Sequence, residues 1–593
     1  MNIRTIIVVL ALLFVCATSC KKDYLDKTQD EDLTIDQVFE SRQYAERFLT
    51  SAYNNLPEEI NFHDWQGRNA YVGASDEMEM TWTYPFAQLM TAGSWSPDVI
   101  EQNVWRFNWE GIRKVNIFLE NIDKTPFDDQ TQKNSFIGEA TFLRAFFHFL
   151  LLRAHGPVPI GDHSYASDAD FSAIKRATLE ESANFILADC DKAAGLLPMT
   201  LTSDKLGRAN KAAALALKAR LLLYMASPLF NGNPDYAGYT NAEGQKLFPE
   251  LDEGKWQVAA DAAKSCIDQV EAAGYGLFKS SSNDPMKNYQ ELFVQRYNKE
   301  VLFARNMGNY NKLEMAASPN GMGGWSGLCP TQELVDAYEM ADGSRPVTGY
   351  QADGTPVVDP ASGYQESGYA ASAGMYNPAG VRNMYVGREP RFYASINYNG
   401  AVWRGRGIQF WNSGLDGRGK GGPDYTVTGY LMKKMIDENV NLVQNGTSLK
   451  TWIFFRVGEQ YLNYAEALNE AQGPVSDVYK YVNLIRERSG LPGLPEGLSV
   501  DEMREKIRHE RRIELSFETH RYFDTRRWKI AEQTDNRNFY AMNIGAGSSL
   551  QDNAFYVRTF LKKRVFDRTK HYLWPIPQLE INKAPGLIQS PGW

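Results

Sequence analysis

Apolar residues recur every three to four positions through most of the first half of the chain, the spacing of amphipathic helices. Thr34 to Tyr53 reads as one such helix, with Phe39, Phe48 and Leu49 on related turns. Val104 to Ile122 reads as another, its Trp105, Trp109, Ile112, Asn116 and Leu119 falling at three- and four-residue steps. Phe136 to Arg153, Leu179 to Leu197, Lys211 to Met225 and Trp256 to Ala273 follow the same rule. Small and large residues alternate along these faces, as in Ala140, Phe142, Ala145, Phe146 and Phe149, or Ala213, Leu217, Ala219, Leu221 and Leu222. That alternation lets helices approach closely and interlock, which predicts helical hairpins. No strict period of about 34 residues runs through them.

From about Asn306 to Tyr430 the texture changes, and glycine, aromatics and short polar segments replace the helical period, as in Gly321-Met322-Gly323-Gly324-Trp325-Ser326-Gly327. The segment predicts loops and short strands, with Arg391 to Trp403 as a strand and turn around Asn399-Gly400. Helices resume at Arg456 to Glu470, Val475 to Arg488 and Val500 to Glu518. Loops this long inside a compact protein are usually functional or disordered, so the insertion is the first place to seek a binding surface.

The N-terminus changes the picture of where the protein works. Arg4 precedes the ten-residue apolar run Ile6 to Val15, and Ala17-Thr18-Ser19 precede Cys20. This is the pattern of a secretory signal over residues 1–19, too short for a span that needs about 20 apolar residues. Small residues before a cysteine resemble the bacterial lipobox, which makes Cys20 the expected lipid anchor; Cys16, behind bulky Phe14 and Val15, fits less well. Losing residues 1–19 moves the formal charge from −9 to −10, which argues against nucleic acid or anionic lipid as the main partner. Cys190, Cys266 and Cys329 remain, an odd number read as buried thiols with one disulfide left open.

Several stretches spread over nearly the whole chain resemble motifs of the SusD-like (RagB/SusD) family. They are Cys20-Lys21-Lys22-Asp23-Tyr24-Leu25-Asp26, Gly138 to Ala145 with His155-Gly156-Pro157-Val158-Pro159, and Gly207-Arg208-Ala209 with Ala219-Arg220. Further on come Asp342-Gly343, Arg388 to Phe392 and Asn463 to Ala467. Glu510 to Glu518 then leads into Arg521-Tyr522-Phe523-Asp524 and Arg526-Arg527-Trp528, and the chain closes with Leu573 to Pro577 and Gln589-Ser590-Pro591-Gly592-Trp593. Ser590 departs from the asparagine usual in that ending. The resemblance implies an all-α fold: tetratricopeptide-like helical hairpins forming a superhelical scaffold, with a large loop-rich insertion carrying short strands. It implies one domain over 20–593, divided into a mainly helical part (20–305), a loop-rich ligand-binding part (306–450) and a C-terminal helical part with its tail (451–593). It also implies an outer-membrane, cell-surface lipoprotein that binds oligosaccharide and hands it to a SusC-like TonB-dependent transporter.

Sugars offer C–H faces and hydroxyl edges, so flat aromatics beside polar groups are the chemistry to seek. Trp65, Tyr71, Asp76, Trp82, Tyr84 and Trp95 concentrate such groups early, and Asn309, Tyr310, Asn311 and Trp325 form a second cluster. The expected ligand-binding residues are Trp82, Trp95 and Trp325 as platforms, with Tyr84, Tyr310 and Asn309 beside them. Glu510, Arg511, Glu514 and Glu518, spaced three or four apart, read as ion-pairing groups. His509-Glu510 lacks the second histidine of a zinc-protease helix. No cofactor is expected: Asp30-Glu31-Asp32 lacks the alternation of a calcium loop and reads as a solvated turn. The rival readings are a helical glycoside hydrolase, which needs two carboxyl groups roughly 5 to 10 Å apart, and a peptide-binding scaffold.

Overall fold

A computed structural model describes residues 33–62, 69–100, 103–166, 168–420 and 422–593. The signal run, Cys20, Asp30-Glu31-Asp32 and Trp65 lie outside the described residues.

The chain is mostly helical. Asn103–Asn121, Gln130–His155, Leu179–Leu196, Lys211–Ala226 and Lys255–Ala272 pack in sequence, each against the next or reached through it. Their starts are written locally: Thr178 closes a capping box with Glu181, and the Asn210 side chain accepts from the Ala213 N–H. Gly111 and Gly138 sit inside helices where glycine costs roughly 0.5–1 kcal/mol relative to alanine. A Cβ at Gly111 would collide with the Phe147 ring, and one at Gly138 with Leu197, so close approach offsets that cost. Gln130–His155 is apolar and long enough to cross a membrane, yet 83% of its most apolar window is buried against its neighbours.

The second helical group returns to the first. Val457–Gln472 packs on Lys255–Ala272 and Lys211–Ala226, and carries Ser476–Arg488 and Val500–Glu514 on its other flank. The expected helix Thr34 to Tyr53 is instead two, Ile35–Phe39 and Arg42–Tyr53, because the chain turns extended at Ser41. The expected helix to Glu518 stops at Glu514, since Phe517 and Thr519 adopt positive φ of 62° and 67°.

Between the helical groups, Val301–Tyr310 pairs antiparallel with Ser448–Arg456. The stretch they bracket holds short two-stranded ladders and the short helices Lys312–Ala317, Gln332–Ala337 and Pro390–Ser395. Arg391 therefore begins in a helix; extended backbone starts only at Ile396, which pairs with Met432, and the chain turns at Asn399-Gly400 as expected.

Buried ion pairs pin this stretch to the C-terminal helices. Arg391 meets Glu389 at 2.7 Å and Glu510 at 2.5 Å, and Arg456 meets Glu300, Glu514 and Glu518 at 2.8 Å each. Lys434 joins Glu518 at 2.7 Å and Arg486 joins Glu339 at 3.0 Å. The Glu510 to Glu518 motif is therefore interior: its carboxylates compensate cations that would be costly to bury alone.

The last residues fold back over the first helices. The Trp574 N–H donates to the Ala154 carbonyl at 2.7 Å, and Arg176 donates to the carbonyls of His155, Pro157 and Ile588. Ser590 keeps the terminal turn, its carbonyl accepting from the Trp593 N–H at 3.2 Å. Cys190, Cys266 and Cys329 are free and buried, so no disulfide joins any two of them.

Candidate glycan-binding face

Two distant segments meet because the strand Met78–Met80 pairs antiparallel with Leu328–Pro330, Met80 opposite Leu328. That register puts the residues after Met80 beside those before Leu328, so Trp82 meets Trp325. The Thr81 N–H donates to the Gly327 carbonyl at 3.2 Å. Gly327 has no Cβ, and one there would overlap the six-membered ring of Trp82. The loop carrying Trp325 is fastened to the helix Lys312–Ala317: the N–H groups of Trp325 and Gly327 donate to Met315 and Ala316 at 2.6 and 2.7 Å. Ser326 accepts a φ of 48° to make this turn.

The aromatic geometry follows. Trp82 lies 6.0 Å from Tyr84 with 30° between the rings, and 6.2 Å from Trp325 with 81° between them. Both tryptophans are half-buried, and Tyr84 is 52% exposed. The result is a corner, with one ring near-parallel and one near-perpendicular to Trp82.

Asn309 and Tyr310 end the long strand, opposite Leu449 and Ser448, and the helix Lys312–Ala317 joins them to the Trp325 loop. Asn309 is exposed, whereas the Tyr310 hydroxyl bonds the Asn61 side chain. Trp95 departs from expectation. It is 5% exposed and packs against Trp593 at 4.7 Å, Trp574 at 5.3 Å and His571 at 5.6 Å. An indole surrounded this way contributes to the core and presents no face to a ligand.

Sequence reading missed two residues that the fold adds. The Thr81 hydroxyl lies 3.1 Å from the Ser326 carbonyl and 2.5 Å from the Tyr425 carbonyl, so one side chain joins the Trp325 loop to a third segment. Half-buried Tyr425 carries the Arg418 guanidinium over its ring at 5.3 Å. The available signal was an aromatic just after a glycine-rich run, the same texture that marked Trp325.

The carboxylates in and just before the strand Met78–Met80 are committed. Burial opposes the charge of Asp76, but Arg512 at 2.8 Å and Arg521 at 2.7 Å hold its carboxyl well below the usual range. Burial, helped by the neighbouring Asp76 charge, pushes Glu77 up to about 8. Glu77 is 1% exposed and its Oε2 accepts from the Phe517 N–H. Glu79 is buried too, yet Arg564 and Lys562 keep it below its ordinary value. Among the described residues no group of three or more His, Cys, Asp or Glu side chains could hold a metal ion.

Comparison with known proteins shows what the chain is similar to. SusD-like protein P2 of Formosa agariphila is 24% identical over 491 residues, spanning 79% of this chain and 75% of that protein. A SusD-like protein from Bacteroides fragilis aligns over 94% of this chain and 98% of its own, at 26% identity and a TM-score of 0.73. A SusD-like carbohydrate binding protein from the same species aligns over 93% and 100%, at 24% identity and a TM-score of 0.70. A profile described as starch-binding associating with outer membrane matches residues 23–223. Because the SusD family profile matches residues 277–593, more than half of the chain, the protein belongs to the SusD family.

Proposed function

We propose that the protein is a cell-surface lipoprotein, anchored through Cys20, that captures oligosaccharides and delivers them to a SusC-like TonB-dependent transporter of the outer membrane. The observation that carries this reading is the corner of Trp82, Tyr84 and Trp325, held by backbone bonds from two distant segments in a family that includes a carbohydrate binding protein. Asn309 and Tyr310 flank it as polar partners. The stacked helices would serve as a tetratricopeptide-like scaffold and residues 20–593 as one domain. Tethering keeps the protein near the transporter, so weak affinity suffices.

Capture proceeds without chemistry in this reading, with no cofactor. A glycosidase needs two carboxyl groups that reach the substrate. Asp76 is spent on two arginines and Glu77 is buried, which favours binding over hydrolysis.

Calorimetric titration of the mature chain against an oligosaccharide panel tests the proposal. Trp82→Ala and Trp325→Ala should each weaken binding by about tenfold or more, the scale of a lost aromatic anchor. A wild-type chain that binds no glycan, or variants that bind as well as wild type, would sink it.

A further inference from the structure

We propose that the face selects oligosaccharides bearing anionic groups, carboxylate or sulfate, through Arg418. The inference rests on the glycan-binding reading and names the substrate class of that same site.

Arg418 and Lys420 differ from Arg406, Lys562 and Lys450 in that no carboxylate among the described residues neutralises them. Arg406, on a neighbouring hairpin, forms a two-point pair with fully buried Asp416 at 2.6 and 2.7 Å. Lys562 is bound to Glu79, and Lys450 to Glu314. Arg418 is exposed, and among the described residues no carboxylate lies within ion-pair distance and no acceptor takes a hydrogen bond from its side chain. Lys420, two residues on, is likewise exposed without an acidic partner among the described residues. Half-buried Asp424 is the remaining carboxylate of this loop and pairs with neither cation. A protein of net charge −9 thus leaves two cations against one carboxylate in the loop that leads to Tyr425.

The guanidinium is also positioned. Lying over Tyr425, it keeps its donors at the edges, where a planar fork matches two oxygens of a carboxylate or sulfate. Tyr425 is tied through its carbonyl to Thr81, the residue before Trp82. The backbone around Arg418 is equally fixed: the Gly419 N–H donates to the Asn412 carbonyl at 2.9 Å and the Lys420 N–H to Gly417 at 3.1 Å. A Cβ on Gly417 would run into the Trp411 carbonyl, and one on Gly419 would stand 2.7 Å from that of Asn412. A sugar ring on Trp82 or Trp325 would thereby meet a cation set before it arrives. Screening beyond about 8 Å at physiological salt makes such local charge outweigh the negative total.

The test titrates the full mature chain with oligogalacturonates, sulfated galactan oligosaccharides and neutral β-glucan oligosaccharides, at low and at high salt. At least one anionic set should bind about tenfold tighter than the neutral set, with the advantage shrinking in high salt. Arg418→Gln should remove that advantage while neutral binding persists, and Arg418→Lys should keep part of it; circular dichroism checks the fold of each variant. The carboxylate and sulfate arms report which anion is preferred. Equal binding of anionic and neutral sets, or an anionic preference unchanged in Arg418→Gln, overturns the role of Arg418. Binding to no set at all, or binding indifferent to Trp82→Ala, overturns the glycan-binding reading as well.

Discussion

Arg456 carries a cation where water cannot follow, and three carboxylates at 2.8 Å, from Glu300, Glu514 and Glu518, replace its hydration. Removing one partner of such a group leaves the others charged and buried, at a cost of about 3–5 kcal/mol. Arg456→Met should lower the unfolding free energy by about that amount in urea denaturation. A loss below about 1 kcal/mol would mean that Arg488 and Arg391, which share Glu514, compensate fully. The same interior position is why the Glu510 to Glu518 motif carries structure and leaves ligand contact to the loops.

At the scale of elements, the corner depends on backbone fit. Gly327→Ala inserts a methyl group into the Trp82 ring, so the tryptophan must swing out or the strand pair Met78–Met80 and Leu328–Pro330 must part. The variant should show a red-shifted tryptophan emission and a melting temperature lower by several degrees, about what 1–3 kcal/mol of overpacking produces. Unchanged emission would show that the loop absorbs the methyl group.

This dependence also explains what the sequence could and could not reveal. The periodic helices were legible to within a few residues, Val104 to Ile122 appearing as Asn103–Asn121 and Trp256 to Ala273 as Lys255–Ala272, because burial of one face repeats along the chain. Trp82 and Trp325 were legible as aromatics outside helical periodicity, but nothing local distinguished them from Trp95. That difference is set by Trp574 and Trp593, hundreds of residues away. Arg418 and Tyr425 were illegible for a similar reason: their nearness to Trp82 passes through Thr81 and a strand pairing, neither marked in the sequence.

For the whole molecule, proton binding to buried groups sets a pH range. Burial holds His148 and His571 down at about 4 and His155 at about 3, and keeps His509 and His520 well below the ordinary imidazole value. The unfolded chain takes up those protons below about 6.5, so stability falls as pH drops from there. Burial also raises Glu77 to about 8 and Glu333 and Glu339 to about 7. The native chain keeps protons that the unfolded chain loses above about 4.3, so this contribution declines as pH rises toward 8. Between about pH 5 and 6.5 the five imidazoles oppose the buried carboxyls, and just above 7 the carboxyls lead; Lys434, which burial lowers to about 8, opposes them from there upward, because the native amine loses a proton that the unfolded chain keeps. Melting temperature should therefore peak near neutral pH, and Glu77→Gln should flatten the decline between about pH 7 and 8. A profile that rises steadily from about pH 5 to 8 would contradict this.

The strap formed by the final residues ties the fold to the order in which the chain appears. Trp95 gains much of its cover from His571, Trp574 and Trp593, and Arg176 gains one of its three carbonyl partners from Ile588. A chain emerging N-terminus first holds these groups unsatisfied until its final residues follow. Such a polypeptide stays loose while its last segment is still missing and locks only when that segment arrives, which would suit the export that the proposed function requires.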